Sequence, residues 1–290
     1  MVPVDFIYEN EYLSSFDLVT LESKEQQSFI SREIEKSEIT SVRPSPLHYG
    51  VKYSDVLKLN FFIGRYLNND IVKLKEEDIN DIRSWLESPK YPQKLVVLTT
   101  SSNEDTIIFY GLFTEIQPYV VSGEYYGLYL TFTCNSPYGY SEDVNEVYKF
   151  PDNYSVFDGT FYNLSAEKFE YLMPKITIES KSVFGQNEIL YIVNHNDNDR
   201  VMTITLPEGK SKIIIDCDEK IIMDENGILL TLSDIGVTTN VSASQFINSI
   251  SFYWLSLVYG VNNLNFTATV NHTIKSITLS TKFAIKLGGF

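Results

Sequence analysis

The stretch YGLYLTFTCNSPYGYSED, residues 126–143, joins two kinds of sequence. Leu128, Leu130, Phe132 and Cys134 alternate with Tyr129, Thr131 and Thr133, the period of a strand with one buried face. The alternation stops at Asn135. Pro137 and Gly139 follow, residues that end strands and begin turns. Such a break near mid-chain is either the rim of an active site or a boundary between domains. The length admits one large all-β domain or two of about 150 residues each. The rest of the chain favours the boundary.

Upstream, the sequence reads as strands with one helix. VDFIY (4–8) opens it, and VLKLNFFIG (56–64) sets Leu57, Leu59, Phe61 and Ile63 on one face. In EEDINDIRSWLES (76–88), Ile79, Ile82 and Leu86 recur at helical spacing. Glu76, Glu77 and Asp78 place negative charge at its start, where the helix dipole favours it, and Ser88–Pro89 ends it. KLVVLT (94–99) and TIIFYGLF (106–113) are strands, and Ser122–Gly123 predicts a hairpin turn.

Downstream, no stretch reads as a helix. ILYIV (189–193), VMTITL (201–206), KIIID (212–216), KIIM (220–223) and ILLTL (228–232) are short strands. NHNDND, PEGKS, CDE and DENG between them are turn chemistry. LNFTATV (264–270) predicts Leu264, Phe266, Ala268 and Val270 inward, and Ile277, Leu279, Phe283, Ile285 and Leu287 continue the alternation. Short strands at this spacing predict a β-sandwich. The fold class is mostly β, with a β-rich first half carrying one helix near 76–87 and an antiparallel sandwich in the second half.

Charge and motifs exclude several functions. The 23 Lys+Arg against 38 Asp+Glu give −15, which is the wrong sign for binding phosphates or anionic membranes. The start MVPVDFIYENEYL lacks the basic and apolar regions of a signal peptide, and no run reaches the roughly 20 apolar residues of a membrane span. The chain is expected to be made in a cytoplasm, or assembled there. Cys134 and Cys217 have no Cys or His neighbour at metal spacing and read as buried thiols. His48 lies in the loop-like RPSPLHYG, His195 in a polar turn and His272 between strands; none is in a nucleophile or metal motif. NHNDNDR (194–200) gathers carboxylates but fails the calcium-loop pattern, with Asp199 and Thr205 where Gly and Glu are needed. It, DCDEK (216–220) and DENG read as solvated turns. No hydrolase, nucleotide-binding or zinc-protease motif occurs, and nothing singles out a glycosidase carboxylate pair. No enzyme, metal or cofactor is expected. Trp85 and Trp254, the latter in a strand-like run, read as core, with sugar stacking as the alternative for Trp254. Five N-x-[ST] sequons, Asn265–Thr267 among them, carry no information without a secretory signal.

The order of these pieces resembles the distal tail protein family of long-tailed phages, especially those infecting Gram-positive hosts. DFIYENEYLSSFDLVTLES, VLKLNFFIG and INDIRSWLESPKYPQKLVVL are similar to the family's opening strands, helix and following strand. FYGLFTEIQPY…GLYLTFTCNSPYGYS is the closest piece. YLMPKITIES, RVMTITLPEGKSKIIIDCDEKIIMDENG and YWLSLVYGVNNLNFTATV match its second half more loosely. The chain departs from the family at SEITSVRPSPLHYGVKYSD (37–55), where many members carry a Gly-rich loop with Arg. The resemblance implies a ring-forming belt domain over 1–141 and a galectin-like β-sandwich over 142–290, an architectural likeness without implied lectin activity. It implies a hexameric ring that joins the tail tube to the tail-tip hub and is a docking platform for receptor-binding or side proteins. The location implied is the virion tail tip, and there are no catalytic residues to carry over. Pro137, Tyr138, Gly139 and Tyr140 are then expected at the inter-domain joint. The acidic balance predicts a ring lumen that repels DNA. Two other classes stay open: a module that binds host surface glycans, and a wall-degrading hydrolase.

Overall fold

Alternating apolar residues produce sheets whose inner faces meet in two separate cores. The computed structural model describes residues 3–21, 32–36, 48–53, 55–68, 70–99, 106–150, 155–230, 253–270 and 273–286. The chain divides into two compact units, Met1–Glu142 with Ala284–Phe290, and Asp143–Phe283.

The first unit contains β1 (Pro3–Tyr8), β2 (Glu11–Tyr12), β3 (Val19–Leu21), β4 (Arg32–Lys36), β5 (His48–Tyr53), β6 (Lys58–Leu67) and β7 (Asp70–Val72). These are followed by α1 (Glu76–Glu87), β8 (Gln93–Thr99), β9 (Ile107–Val121), β10 (Glu124–Cys134) and β11 (Gly139–Tyr140). Its main sheet runs β2-β1-β8-β9-β10-β6-β3, with β7 on β6 and β11 on β9. Among the described residues β4 and β5 pair only with each other. The β9–β10 hairpin turns at Ser122 and Gly123, both at positive φ (52° and 85°), as a tight primed turn requires. Leu57, Leu59, Phe61 and Ile63 all enter the core, where they meet Phe6, Tyr8, Phe109, Phe113, Leu130 and Phe132.

α1 closes this core because its apolar residues fall on one face: Ile82, Trp85 and Leu86 are buried. Trp85 stacks on Phe16 (4.7 Å between centroids) and Phe6 (5.8 Å), and its Nε1–H donates to the Tyr8 carbonyl at 3.2 Å. Burying a ring of this kind contributes about 2–3 kcal/mol. At the helix start, the Asp78 carboxylate accepts the Lys75 N–H (2.9 Å) and pairs with Arg65 (3.2 Å).

The second unit contains β12 (Val144–Lys149), β13 (Val156–Asn163), β14 (Lys175–Ser180), β15 (Ile189–Asn194), β16 (Arg200–Thr205), β17 (Lys212–Asp216), β18 (Ile221–Asp224), β19 (Gly260–Ala268) and β20 (Ile274–Thr281). Two antiparallel sheets, β12-β20-β14-β17-β18 and β13-β19-β15-β16, share one core. Ile176, Ile178, Ile213, Ile215, Ile277 and Leu279 of the first meet Leu190, Ile192, Ile204, Leu264 and Phe266 of the second. A last strand, β21 (Ala284–Ile285), pairs with β11, so the chain ends its described course back in the first unit's sheet.

Several sequence readings fail locally. Of ILLTL, Ile228–Leu230 form only an isolated antiparallel bridge beside β18, with the Asp224 N–H donating to the Ile228 carbonyl (2.9 Å) and the Leu230 N–H to the Ile222 carbonyl (2.8 Å); Ile228 and Leu229 are exposed, and residues 231 and 232 lie outside the described residues. Val270 is exposed because β19 ends at Ala268. Ile285 belongs to β21 in the first unit's sheet and does not continue β20's alternation, Phe283 packs partly buried against the second core, and Leu287 lies outside the described residues. Trp254 is in irregular backbone, not a strand. His48 starts β5 where a loop was expected, because Arg32–Lys36 offers it a partner strand. Residues 37–47 of the departing loop and His272 lie outside the described residues.

Candidate assembly surfaces

The stretch after β10 is built around one hydroxyl. Ser136 Oγ accepts the Tyr138 N–H (3.0 Å) and the Tyr140 hydroxyl (2.9 Å). The Ser136 carbonyl accepts from Leu57 N–H (3.3 Å), which ties the turn to the start of β6. Gly139 pairs with Ile285 and Tyr140 with both Ala284 and Ile108. A Cβ at Gly139 would lie 2.6 Å from Ile107 Cγ2, so only glycine lets β11 approach β9 this closely. The Tyr140 ring meets Tyr110 edge-on at 6.1 Å, and Lys286 Nζ lies 5.9 Å from the Tyr138 ring centroid. Gly139 and Tyr140 are thus in the first unit's own ladder and Pro137 and Tyr138 in the bend before it, ahead of the division between the units after Glu142.

The acidic turns hold internal pairs. In NHNDNDR, the Asp197 side chain is 1% exposed and accepts from Tyr171 Oη (3.1 Å), Tyr253 Oη and Arg200 Nη2. The Arg200 guanidinium lies over the Tyr253 ring (4.6 Å) and the Tyr171 ring (5.3 Å). Burial pushes the Asp197 carboxyl up, but the hydrogen bonds from Arg200, Tyr253 and Tyr171 outweigh it and hold it below the usual carboxylate range. Asp224 of DENG is also buried; it pairs with Lys210 Nζ (2.7 Å) and accepts the Asn226 and Ile228 N–H groups (2.9 Å each). Asp216 of DCDEK is half-buried, caps the Asp218 and Glu219 N–H groups and pairs with Lys175 at 3.2 Å. The reading of these turns as solvated is therefore corrected at Asp197 and Asp224, whose carboxylates organise the turns from inside. His195 is exposed beside Asp199, 2.6 Å away. Among the described residues no group of three or more His, Cys, Asp or Glu is placed to hold a metal ion. Trp254 is half-buried and packs against the second core.

Sequence reasoning missed two features. One is the β4–β5 pair, which among the described residues joins no other strand. The other is the outer end of the β6–β10–β9 ribbon, where Tyr66, Leu67, Tyr119, Val120, Val121 and Tyr129 are exposed. Alternation sets Tyr129 on the outer face, and the register adds Phe62 and Gln117 to that face.

The chain is thus built of two β-rich units, with polar clusters satisfied internally and apolar side chains exposed on outer strands. Residues 1–136 match a family model described as a phage tail protein N-terminal domain, and residues 138–235 match a phage tail C-terminal domain. No curated protein sequence matches. Among solved structures, the Dit protein of phage SPP1, described as a paradigm of the hub adsorption apparatus in phages infecting Gram-positive hosts, is similar with a TM-score of 0.63 and 14% identity. That likeness covers 98% of this chain and 100% of SPP1 Dit. A chain of the phage P2 baseplate in its activated conformation with calcium gives a TM-score of 0.52 at 8% identity, covering 99% of this chain and 100% of that one. The strontium form gives 0.51 at 8% identity with the same coverage. The chain belongs to the family of phage tail proteins that these two domain models describe, and it has the fold of the SPP1 Dit protein.

Proposed function

We propose that copies of this chain close into a hexameric ring that joins the tail tube to the tail-tip hub, with the second unit as a docking platform for receptor-binding or side proteins. The observation that carries the ring is β4–β5, a two-stranded sheet that among the described residues joins no other. A hairpin of two strands is marginal in water by itself, and its free edges are suited to pairing with a neighbouring copy. Repeated head-to-tail contacts of this kind close a ring. Light scattering on the purified protein, with class averages of intact tails, tests this: a strict monomer that is also missing from tail tips refutes it.

Three narrower readings accompany it. The chain is not an enzyme, and clearing of host cell walls in a zymogram would overturn that. The lumen is acidic, in keeping with the −15 balance, and a ring map with a basic lumen would overturn that. Pro137, Tyr138, Gly139 and Tyr140 form the joint between the units. On this reading Gly139→Ala, which crowds Ile107, raises proteolytic cleavage between Ser141 and Val144; unchanged cleavage counts against it.

A further inference from the structure

Asn226–Gly227 is the one Asn–Gly step in the sequence, and it forms the tip of the DENG turn after β18. Glu225, Asn226 and Gly227 are all exposed. Gly227 is at φ 75°, and a Cβ placed on it would meet no atom of the described residues within 4 Å. Water therefore reaches the Asn226 amide, and glycine sets no side chain beside the nitrogen that follows it. The turn is held from beneath by Asp224, which is 1% exposed. Its Oδ1 accepts the Asn226 and Ile228 N–H groups (2.9 Å each), and its carbonyl accepts the Gly227 N–H (3.1 Å). Its own N–H donates to the Ile228 carbonyl (2.9 Å), and its Oδ2 pairs with Lys210 Nζ (2.7 Å).

We propose that Asn226 is a site of spontaneous deamidation in this chain, and that Asp224 sets its rate. The reaction needs no reagent but water. The Gly227 nitrogen gives up its proton to solvent base and bonds to Asn226 Cγ. The Cγ–Nδ2 bond then breaks, and the side-chain nitrogen takes up a proton and leaves as ammonia. Water opens the resulting five-membered imide at one of its two carbonyls. Breaking the bond between the Gly227 nitrogen and Cγ leaves aspartate. Breaking the bond between that nitrogen and the main-chain carbonyl carbon leaves isoaspartate, with the chain now running through Cγ. Nothing is oxidised or reduced. Glycine favours the closure because its nitrogen is approached without hindrance from a Cβ. Closure also needs that nitrogen free to turn toward Cγ, whereas its N–H is donated to the Asp224 carbonyl and the Asn226 N–H is pinned by the Asp224 carboxylate. The turn must open before it reacts, so the rate follows the fraction of time it spends open. The isoaspartate product matters to the sheet edge. Its extra backbone atom breaks the register in which Asp224 meets Ile228 and the Leu230 N–H meets the Ile222 carbonyl (2.8 Å) beside β18.

The test follows the full chain by peptide mass spectrometry in mildly alkaline buffer. The amide-to-acid mass change, and the chromatographic separation of aspartate from isoaspartate, report on Asn226 directly. Native wild-type protein should convert more slowly than the same protein held in urea, by on the order of tenfold or more. Asp224→Asn, checked for folding by circular dichroism, should convert several-fold faster than native wild type. Asp197→Asn removes a buried carboxylate elsewhere in the same unit and controls for general loss of stability; it should leave the rate at Asn226 unchanged. Equal rates in native and urea-treated wild type overturn the proposal, and that comparison decides even where Asp224→Asn fails to fold. A folded Asp224→Asn with the wild-type rate overturns it too. So does an Asp197→Asn that speeds conversion as much as Asp224→Asn, because the protection then belongs to the stability of the whole unit. Absence of conversion at Asn226 in urea overturns the assignment of the site itself.

Discussion

Replacing Asp197 by Asn should destabilise the second unit and leave the first untouched. The carboxylate is 1% exposed and accepts from two tyrosine hydroxyls and a guanidinium. Hydrogen bonds to a charged group contribute about 1.5–3 kcal/mol each, but not all of that is lost. Arg200 is 42% exposed and Tyr171 is exposed, so both regain water, and Asn keeps one acceptor oxygen. Tyr253 is half-buried, and its hydroxyl keeps the Ser256 N–H (3.0 Å) and a long bond to the Ser256 carbonyl (3.5 Å). The net loss works out at about 2–3 kcal/mol, or roughly 7 °C in melting temperature for a unit of this size. The two tryptophans make the assay unit-specific: Trp85 is in the first core and Trp254 packs on the second. Thermal melts followed by fluorescence in Trp85→Phe and Trp254→Phe backgrounds read the units separately. The pH dependence supplies a sign. Asp197 is held below its unfolded value of about 3.9, so its contribution is fully present above that pH and is lost as pH falls through the folded pKa. The gap between wild type and variant should therefore be flat from about pH 7 to pH 5 and narrow below about pH 4. A Trp254 melt shifted by less than about 1 °C, or a Trp85 melt shifted equally, refutes the reasoning.

Three further outcomes follow from single sites. Tyr8 Oη is buried with no hydrogen-bond partner among the described residues, and burial pushes its pKa up to about 12; Tyr8→Phe should raise the first unit's stability by about 1 kcal/mol in urea titration, and a loss would contradict this. Gly111→Ala would set a Cβ 2.1 Å from the Thr133 carbonyl oxygen and 2.8 Å from Cys134 Cα, forcing β9 from β10; a cost of about 3 kcal/mol or more in the Trp85 signal is expected, and near-neutral behaviour would refute the close approach. Cys134 and Cys217 are buried, and burial pushes both thiols up to about 12; iodoacetamide should label neither in the native protein and both in urea, as read by mass spectrometry.

What was legible in the sequence was local and periodic. α1 was readable because Ile79, Ile82 and Leu86 recur at helical spacing while Ser88–Pro89 stops the run. The β6 core face was readable because one side of the strand is wholly apolar. What escaped depends on apposition across many residues. The Asp197 cluster draws Tyr171 and Tyr253 from far along the chain, and nothing beside NHNDNDR announces them. Alternation sets Tyr129 on the face opposite Leu128 and Leu130, but only the strand register brings Phe62 and Tyr119 beside it. The return of Ala284–Ile285 to β11 was hidden because two residues carry no period at all.

That return bears on synthesis. The first unit's β11 leaves the ribosome early, but its partner β21 emerges only after the whole sandwich has been made, on the order of ten seconds later at about 5–20 residues per second. During that interval the Gly139–Tyr140 edge has no strand beside it on that side. A polypeptide cut short anywhere upstream of Ala284 keeps this edge open for good. The last rung of the ladder can therefore form only once translation has passed through the sandwich.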